Sequence, residues 1–406
     1  MKFSANEIMD YLKEEDVKFI RLAFCDVFGK QKNISVMPSE IERAFDSGIA
    51  IDASLIEGFE ASAHNDLFLH PDPSTISVLP WRPDHGKVVR MFCDIKYPDG
   101  TPFENDTRYI LQQAVDAAKQ CGINFCFGSE MEFYLFMNDE KGMPTDIPYD
   151  NAGYMDIAPD DKGENVRREI CLTLERMGIT PESSHHEEGP GQNEIDFKYS
   201  DALSAADNAV TFRSVVKTVA YRNGLTADFS PKPIENKAGN GFNINISVKS
   251  GNTNLLGSAI AGILEKIGDI TVFLNPDTAS YTRLSHGRAP KYISWSHEKR
   301  SQLIRIPADK EYLHAQLRSP DSLANPYIAF ALLIYAGIYG ISSGLQLPPA
   351  ANDNTCGGTS GKDTEFKALP TSLEQARKLA LNGFAAQYLP KSVIEAYCGA
   401  AETESD

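Results

Sequence analysis

Three segments of the chain carry carboxylates or carboxamides at every second position. Residues 123–136 (INFCFGSEMEFYLF) set Glu130 and Glu132 on one face against Met131, Phe133 and Leu135 on the other. Residues 193–199 (NEIDFKY) oppose Glu194 and Asp196 to Ile195 and Phe197. Residues 241–248 (GFNINISV) oppose Asn243, Asn245 and Ser247 to Phe242, Ile244 and Ile246. Alternation with period two marks a strand with one face in a core. On a single strand the polar face simply meets water. Acidic strands with very few lysines among them, once converged, repel one another unless cations neutralise them. Oxygen donors point to Mg2+ or Mn2+. Residues 183–194 (SSHHEEGPGQNE) add two histidines and three glutamates around a Gly-Pro-Gly turn; a plain acidic loop is the other reading of that stretch. The sequence has no HExxH and no Cys/His spacing of a structural zinc site.

Positive groups accompany these acids: Lys232, Arg283, Arg300, Arg305 and Arg318. Arg305 is flanked by apolar residues in 303–307 (LIRIP), as on a strand that delivers a guanidinium inward. One arginine would suggest a surface salt bridge. Several beside acidic strands suggest a phosphate or carboxylate site, because the planar guanidinium grips oxyanions at two points. Carboxylates for metal and arginines for phosphate describe ATP chemistry without a P-loop. The Gly-Lys pair in the polar loop 352–362 is no P-loop, since Cys356 and Asp363 stand where glycine and Ser/Thr are needed.

Elements must hold these groups in place. Helices are expected at about 107–120, 162–177, 203–223, 255–272 and 324–341, the first capped by Asp106 and ended by Gly122. Strands 17–24 and 75–79 are expected in the first hundred residues. Strands and helices without a βαβ rhythm argue an α+β fold with a largely antiparallel sheet, and a domain boundary near residue 100. The 406 residues suffice for two or three domains, or one small and one large. A net charge of −17 without a basic run argues against nucleic-acid binding. The longest apolar stretch, 327–341, is too short for a membrane span and reads as a buried helix. Seven cysteines without CxxC spacing, and a polar N-terminus, fit reduced thiols in the cytoplasm.

In order along the chain, ten segments resemble glutamine synthetase of the bacterial type, from about residue 17 to 389. They are FGKQKNISV, DASLIEGF, HPDPSTISVLPW, GTPFENDTR, GSEMEFYLF, HHEEGPGQNEIDFKY, PKPIENKAGNGFN, NPDTASYTRL, KRSQLIRIP and LRSPDSLANPYIAF. The resemblance implies a small β-grasp-like domain (1–100) and a large catalytic domain (101–406) with a curved, mainly antiparallel sheet flanked by helices. It implies a ring-shaped homo-oligomer with active sites between subunits. The implied reaction phosphorylates the γ-carboxylate of glutamate with ATP, after which ammonia or an amine displaces phosphate. Glu132, Glu187 and Glu194 match the ligands of a first divalent metal; Glu130, with Asn243 and Gln316, matches those of a second. Arg283, Asn240 and Gly241 match substrate-binding positions, Arg318 the group facing the γ-carboxylate, and Arg300, Arg305 and Ser247 the ATP site. Asp52 matches an acid that deprotonates ammonium across the interface.

Departures from that pattern carry physical consequences. Asn243 replaces a histidine and Gln316 a glutamate, which removes a nitrogen ligand and a full charge from the second metal site. His314 stands for an arginine, Leu55 for a serine, and Arg288 for a glutamate in a loop shortened by one residue. The ammonium pocket thus loses a negative charge and gains a positive one. A larger amine or another carboxylate is one alternative substrate. A weakly active or inactive homologue that binds ligands for regulation is the other. The tail after Tyr397, short for the family, puts a double ring in doubt.

Overall fold

The structure is a computed structural model and describes residues 4–60, 62, 64–82, 85–284, 286–307, 314–351 and 366–399. The loop 352–362, with Cys356, lies outside these residues. Helix α1 (Ala5–Glu14) opens the chain, its first turn closed by the reciprocal Ser4–Glu7 capping box. There follow β1 (Val17–Cys25), β2 (Gln31–Val36), α2 (Ile41–Asp46), β3 (Ile49–Asp52), β4 (Asp66–Pro71), β5 (Ser77–Val78) and β6 (Lys87–Lys96). They form one sheet in the order β2-β1-β6-β4-β3, with β5 on β6. β1 and β6 run parallel, and the other pairs are antiparallel. The expected strand at 75–79 shrinks to β5, because Pro73 starts a short 3-10 turn before it.

A second sheet follows α3 (Thr107–Gln120). Its main strands are β7 (Asn124–Asn138), β8 (Pro144–Pro148), β9 (Pro181–His186), β10 (Gln192–Asp201), β11 (Leu225–Asp228), β12 (Phe242–Ser250), β13 (Thr253–Asn254), β14 (Trp295–Ser296), β15 (Ile304–Arg305) and β16 (Ala315–Leu317). The path runs β14-β15-β16-β12-β7-β10-β9, and only β14–β15 is parallel. Helices α4 (Glu164–Arg176), α5 (Ala202–Arg222), α6 (Leu256–Leu274), α7 (Thr278–Leu284), α8 (Pro326–Ser342), α9 (Leu373–Leu381) and α10 (Lys391–Cys398) complete the α+β fold. Asp106 caps α3 by accepting from Arg108 N at 3.0 Å.

The apolar face of this sheet rests on α8, which is buried over most of its length. Phe127 stacks on Phe330 with centroids 4.3 Å apart, and Phe242 tilts against the same ring at 6.2 Å. α6 crosses α8 closely: a Cβ on Gly262 would lie 2.2 Å from Ala336 O and 2.6 Å from Gly340 N. Arg108, on α3, ties the first sheet to α5, pairing with Asp72 at 2.7 Å, Asp94 at 2.6 Å and Asp207 at 3.2 Å. One apolar face is therefore clamped by helices, and the polar face is left for chemistry.

Candidate active site

Register brings the acids together. Glu132 lies across from Glu194, and Glu130 from Asp196 on one side and Asn243 on the other. β9 sets His185 opposite Glu194, and β16 sets Gln316 opposite Asn245 and Arg305. Directly opposed residues share a face of a sheet, so all of these open on the side away from α8. All but Asn245 line a cleft of about 970 Å³, whose opposite charge comes from Lys232, Arg283, Arg300, Arg305 and Arg318.

Crowding raises the proton affinity of the acids. Burial, then the charge of Glu187, pushes Glu132 up to about 7. Burial and Glu130 push Asp196 up to about 6, and burial with Glu132 raises Glu194. Ligand atoms of Glu130, Glu194 and Asp196 lie within 4.8 Å of one another, as do those of His185, Glu187 and Glu194. Asp196 Oδ1 is buried without a hydrogen-bond partner. A set of carboxylate oxygens this close, with an orphaned acceptor among them, fits a hard divalent cation.

The arginines are prepared for anions. Arg283, from α7, is buried and donates from Nη2 to Pro320 O at 3.0 Å, to Asn275 Oδ1 at 3.4 Å and to Ser319 O. The Nε of Arg283, Arg305 and Arg318 is in each case buried with no partner. A buried donor left unmade is costly, and an incoming oxyanion satisfies it. Arg318 Nη1 donates to Gln316 Oε1 at 2.6 Å.

A glycine-containing loop closes the floor. Asn240 is fully buried, donating to Asp228 O at 3.1 Å and Ser230 O at 2.9 Å. Gly241 N donates to Glu132 Oε2 at 2.8 Å. Gly239 admits no side chain, since a Cβ would stand 2.3 Å from Pro231 O and 2.7 Å from Arg283 Cγ. Behind the wall, His186 bridges Asp150 Oδ1 (2.9 Å) and Glu187 O (2.7 Å), which fixes the backbone that presents Glu187.

Other expected residues lie elsewhere. Asp52 is exposed at the end of β3 in the first sheet, accepting from Ser54 N at 3.0 Å and Ser54 Oγ at 2.6 Å, and is not part of the cleft wall. Ser247 is half-buried on the polar side of β12, beyond Asn245 and also outside the wall. Arg288 lies at the mouth, exposed, 3.7 Å from Glu188. His314 packs on the Tyr199 ring, with centroids 5.9 Å apart.

The residue that the sequence reading missed outright is Gln192. Its Nε2 donates to Glu132 Oε2 (3.2 Å), Gly239 O (3.2 Å) and Asn240 Oδ1 (3.3 Å). The signal was available: Gln192 is two residues before Glu194, hence on the same face. Tyr154, edge-on to His185 at 5.5 Å, sits in a loop with no periodicity to betray it.

Residues 16–98 match the family signature of the glutamine synthetase beta-Grasp domain, and residues 104–406 that of the glutamine synthetase catalytic domain. The chain belongs to the glutamine synthetase family. It is 42% identical over 392 residues to a glutamine synthetase of Clostridium saccharobutylicum, covering 92% of this chain and 88% of that protein. It is 41% identical over 419 residues to one of Methanosarcina mazei, covering 98% and 94%. A solved GmaS/ADP complex superposes with a TM-score of 0.85 at 25% identity, covering 98% of this chain and 94% of that one. The Plasmodium falciparum glutamine synthetase gives the same TM-score at 22% identity and attests the shared fold. This chain is thus an enzyme, an ATP-dependent ligase of that family.

Proposed function

We propose that this ligase activates the γ-carboxylate of glutamate with ATP and joins it to ammonia or an amine. The observation that carries this reading is the single cleft in which the acids of β7 and β10 face Arg283, Arg300, Arg305 and Arg318. In the first step a γ-carboxylate oxygen attacks the γ-phosphorus of ATP, the bond to ADP breaks, and an acyl phosphate forms. In the second, the amine nitrogen attacks the acyl carbon, phosphate leaves with that oxygen, and the amine gives up a proton.

Arg283, with Asn240 and Gly241, holds the substrate's α-carboxylate end. Arg318 faces the γ-carboxylate, and Arg300 and Arg305 meet the phosphates, with Ser247 on the nucleotide side. Glu132, Glu187 and Glu194 would hold Mg2+ or Mn2+, and Glu130, Asn243 and Gln316 border the nucleotide side of that cluster. A cation held there would supply charge to offset that of the phosphates. Asp52 is supplied by a neighbouring subunit in a ring-shaped homo-oligomer; its exposure, and that of Leu55 at 83%, agrees with a surface that meets another chain. The division between the two domains falls at residue 100, between β6 and α3. Among the described residues no helix is long and apolar enough to cross a membrane, and we place the enzyme in the cytoplasm with small molecules, not nucleic acid, as its substrates.

A second reading, a larger amine in place of ammonia, is favoured by the space left in the shortened loop that lacks its glutamate; Arg288, at the mouth in that glutamate's place, would attract a co-substrate that carries an acid group. ADP and phosphate release is measured with ATP, Mg2+ or Mn2+ and glutamate, in parallel with ammonium, hydroxylamine and a panel of primary amines. Release that needs glutamate and ammonium establishes glutamine synthesis. Release only with a larger amine selects the second reading. Release with none refutes glutamate ligation.

A further inference from the structure

The family pattern places a second cation beside Glu130, with Asn243 and Gln316 as its partners. Around Glu130 the structure has an arrangement of another kind. Asn245 Nδ2 donates to Glu130 Oε1 at 2.7 Å, Gln316 Nε2 to the same oxygen at 2.6 Å, and Asn243 Nδ2 to Oε2 at 3.3 Å. All three carboxamides are buried. Both lone pairs of Oε1 are therefore used, and one of Oε2 remains, toward the acids of β10.

A carboxamide can be turned end for end without changing its shape. Gln316 is held against that turn from both sides, because its oxygen accepts from Arg318 Nη1 at 2.6 Å while its nitrogen donates to Glu130. Turned over, its oxygen would face a carboxylate and its NH2 a guanidinium, two repulsive contacts. In the observed sense the Gln316 oxygen already serves a cation, Arg318. A second cation at that oxygen would stand against the guanidinium, with one carboxylate fewer to offset it than a glutamate at 316 would provide.

We propose that the Asn243–Asn245–Gln316 carboxamide nest takes the place of a divalent cation on the β12–β16 side of Glu130, where the single buried and unpartnered acceptor of the nest, Asn245 Oδ1, is one neutral oxygen and too little to hold a cation. Gln316 is then a positioning residue: it relays between Glu130 and Arg318 and leaves the guanidinium charge for the substrate carboxylate. Cations bind on the β10 side, among Glu187, Glu194, Asp196 and the one free lone pair of Glu130. The phosphates on the β12–β16 side rely on Arg300 and Arg305 for their neutralisation. This inference rests on the nucleotide reading of the cleft given above.

The test counts ions on the full-length protein, by titrating Mn2+ with and without ADP and reading free Mn2+ by electron paramagnetic resonance. ADP affinity is measured separately by calorimetry. Gln316→Glu restores a carboxylate to the nest and is expected to bind one Mn2+ per chain more than the wild type. Asn243→His, which adds a nitrogen ligand, is expected to show the same gain and serves where Gln316→Glu does not fold. Gln316→Met is expected to keep the wild-type count while raising the KM for the acid substrate about tenfold at unchanged ADP affinity. An unchanged count in the folded Gln316→Glu or Asn243→His protein overturns the proposal, and so does the loss of an ion in Gln316→Met. Failure of wild-type protein to bind ADP at all counts against the nucleotide reading instead, and the nest is then judged on the counts taken without ADP.

Discussion

At the scale of residues, the cleft separates two kinds of charge across a few ångströms, and each responds to a different perturbation. Arg283 has a buried Nε with no acceptor, and its other hydrogen bonds go to neutral oxygens. Its charge is offset within the fold only at a distance, by Asp321 and Glu132. Arg283→Gln is expected to raise the KM for glutamate roughly 100-fold, the scale of one charge-assisted two-point contact, while ADP affinity stays as in the wild type; steady-state kinetics and calorimetry check both. The acids give a pH signature. Glu132 is pushed up to about 7, so the folded chain binds more protons than the unfolded one between the ordinary glutamate range and about 7. Metal-free stability therefore falls as pH rises through that window. Cation binding must expel the same protons, so for a group that titrates at about 7 Mn2+ affinity is expected to weaken by about fivefold from pH 7 to pH 6. Proton release measured in buffers of different ionisation enthalpy checks this. Most of these residues were legible because period two names the face of a strand. Gln192 shares that face and was overlooked, while Asp52 cannot be related to the cleft by any pattern within one chain.

At the scale of elements, legibility followed the strength of the local pattern. α3, α4, α5, α6 and α8 begin and end within a few residues of their expected bounds, since apolar spacing marks all five and side-chain caps add to it at α3, α5 and α8. β7, β10 and β12 alternate strictly and are strands. β9 is different: PESSHH has no apolar alternation, and it becomes a strand only because β10 offers a hydrogen-bonding edge. β6 was missed as well, because its run KVVRMFCDIK is buried on both faces and breaks the period-two signature. The crossing of α6 over α8 depends on glycine, since a Cβ at Gly262 would sit 2.2 Å from Ala336 O. Gly262→Val is expected to destabilise the fold by about 1–3 kcal/mol, read as a lower Tm, with the register of β7 and β12 disturbed above the displaced α8.

At the scale of the whole molecule, one chain supplies a cleft with metal-type acids and phosphate-type arginines, and keeps Asp52 on another surface. The proposed ring joins them. Asp52→Ala is expected to remove amine-dependent turnover while sparing ADP binding. Arg318→Ala is expected to remove turnover from the cleft side. Mixed and reassembled, the two inactive proteins should regain up to about a quarter of wild-type activity, because some interfaces then pair an intact cleft with an intact Asp52. No recovery in assembled mixtures would place both residues in one chain's site, or Asp52 in none.

The most direct test follows an oxygen atom. Glutamate labelled with 18O in its γ-carboxylate is turned over with ATP, Mg2+ and the accepted amine, and the released phosphate is analysed by mass. Phosphorylation of the carboxylate in this cleft predicts one 18O per phosphate released. Unlabelled phosphate would mean that water, not the carboxylate, attacks ATP, and would contradict the account.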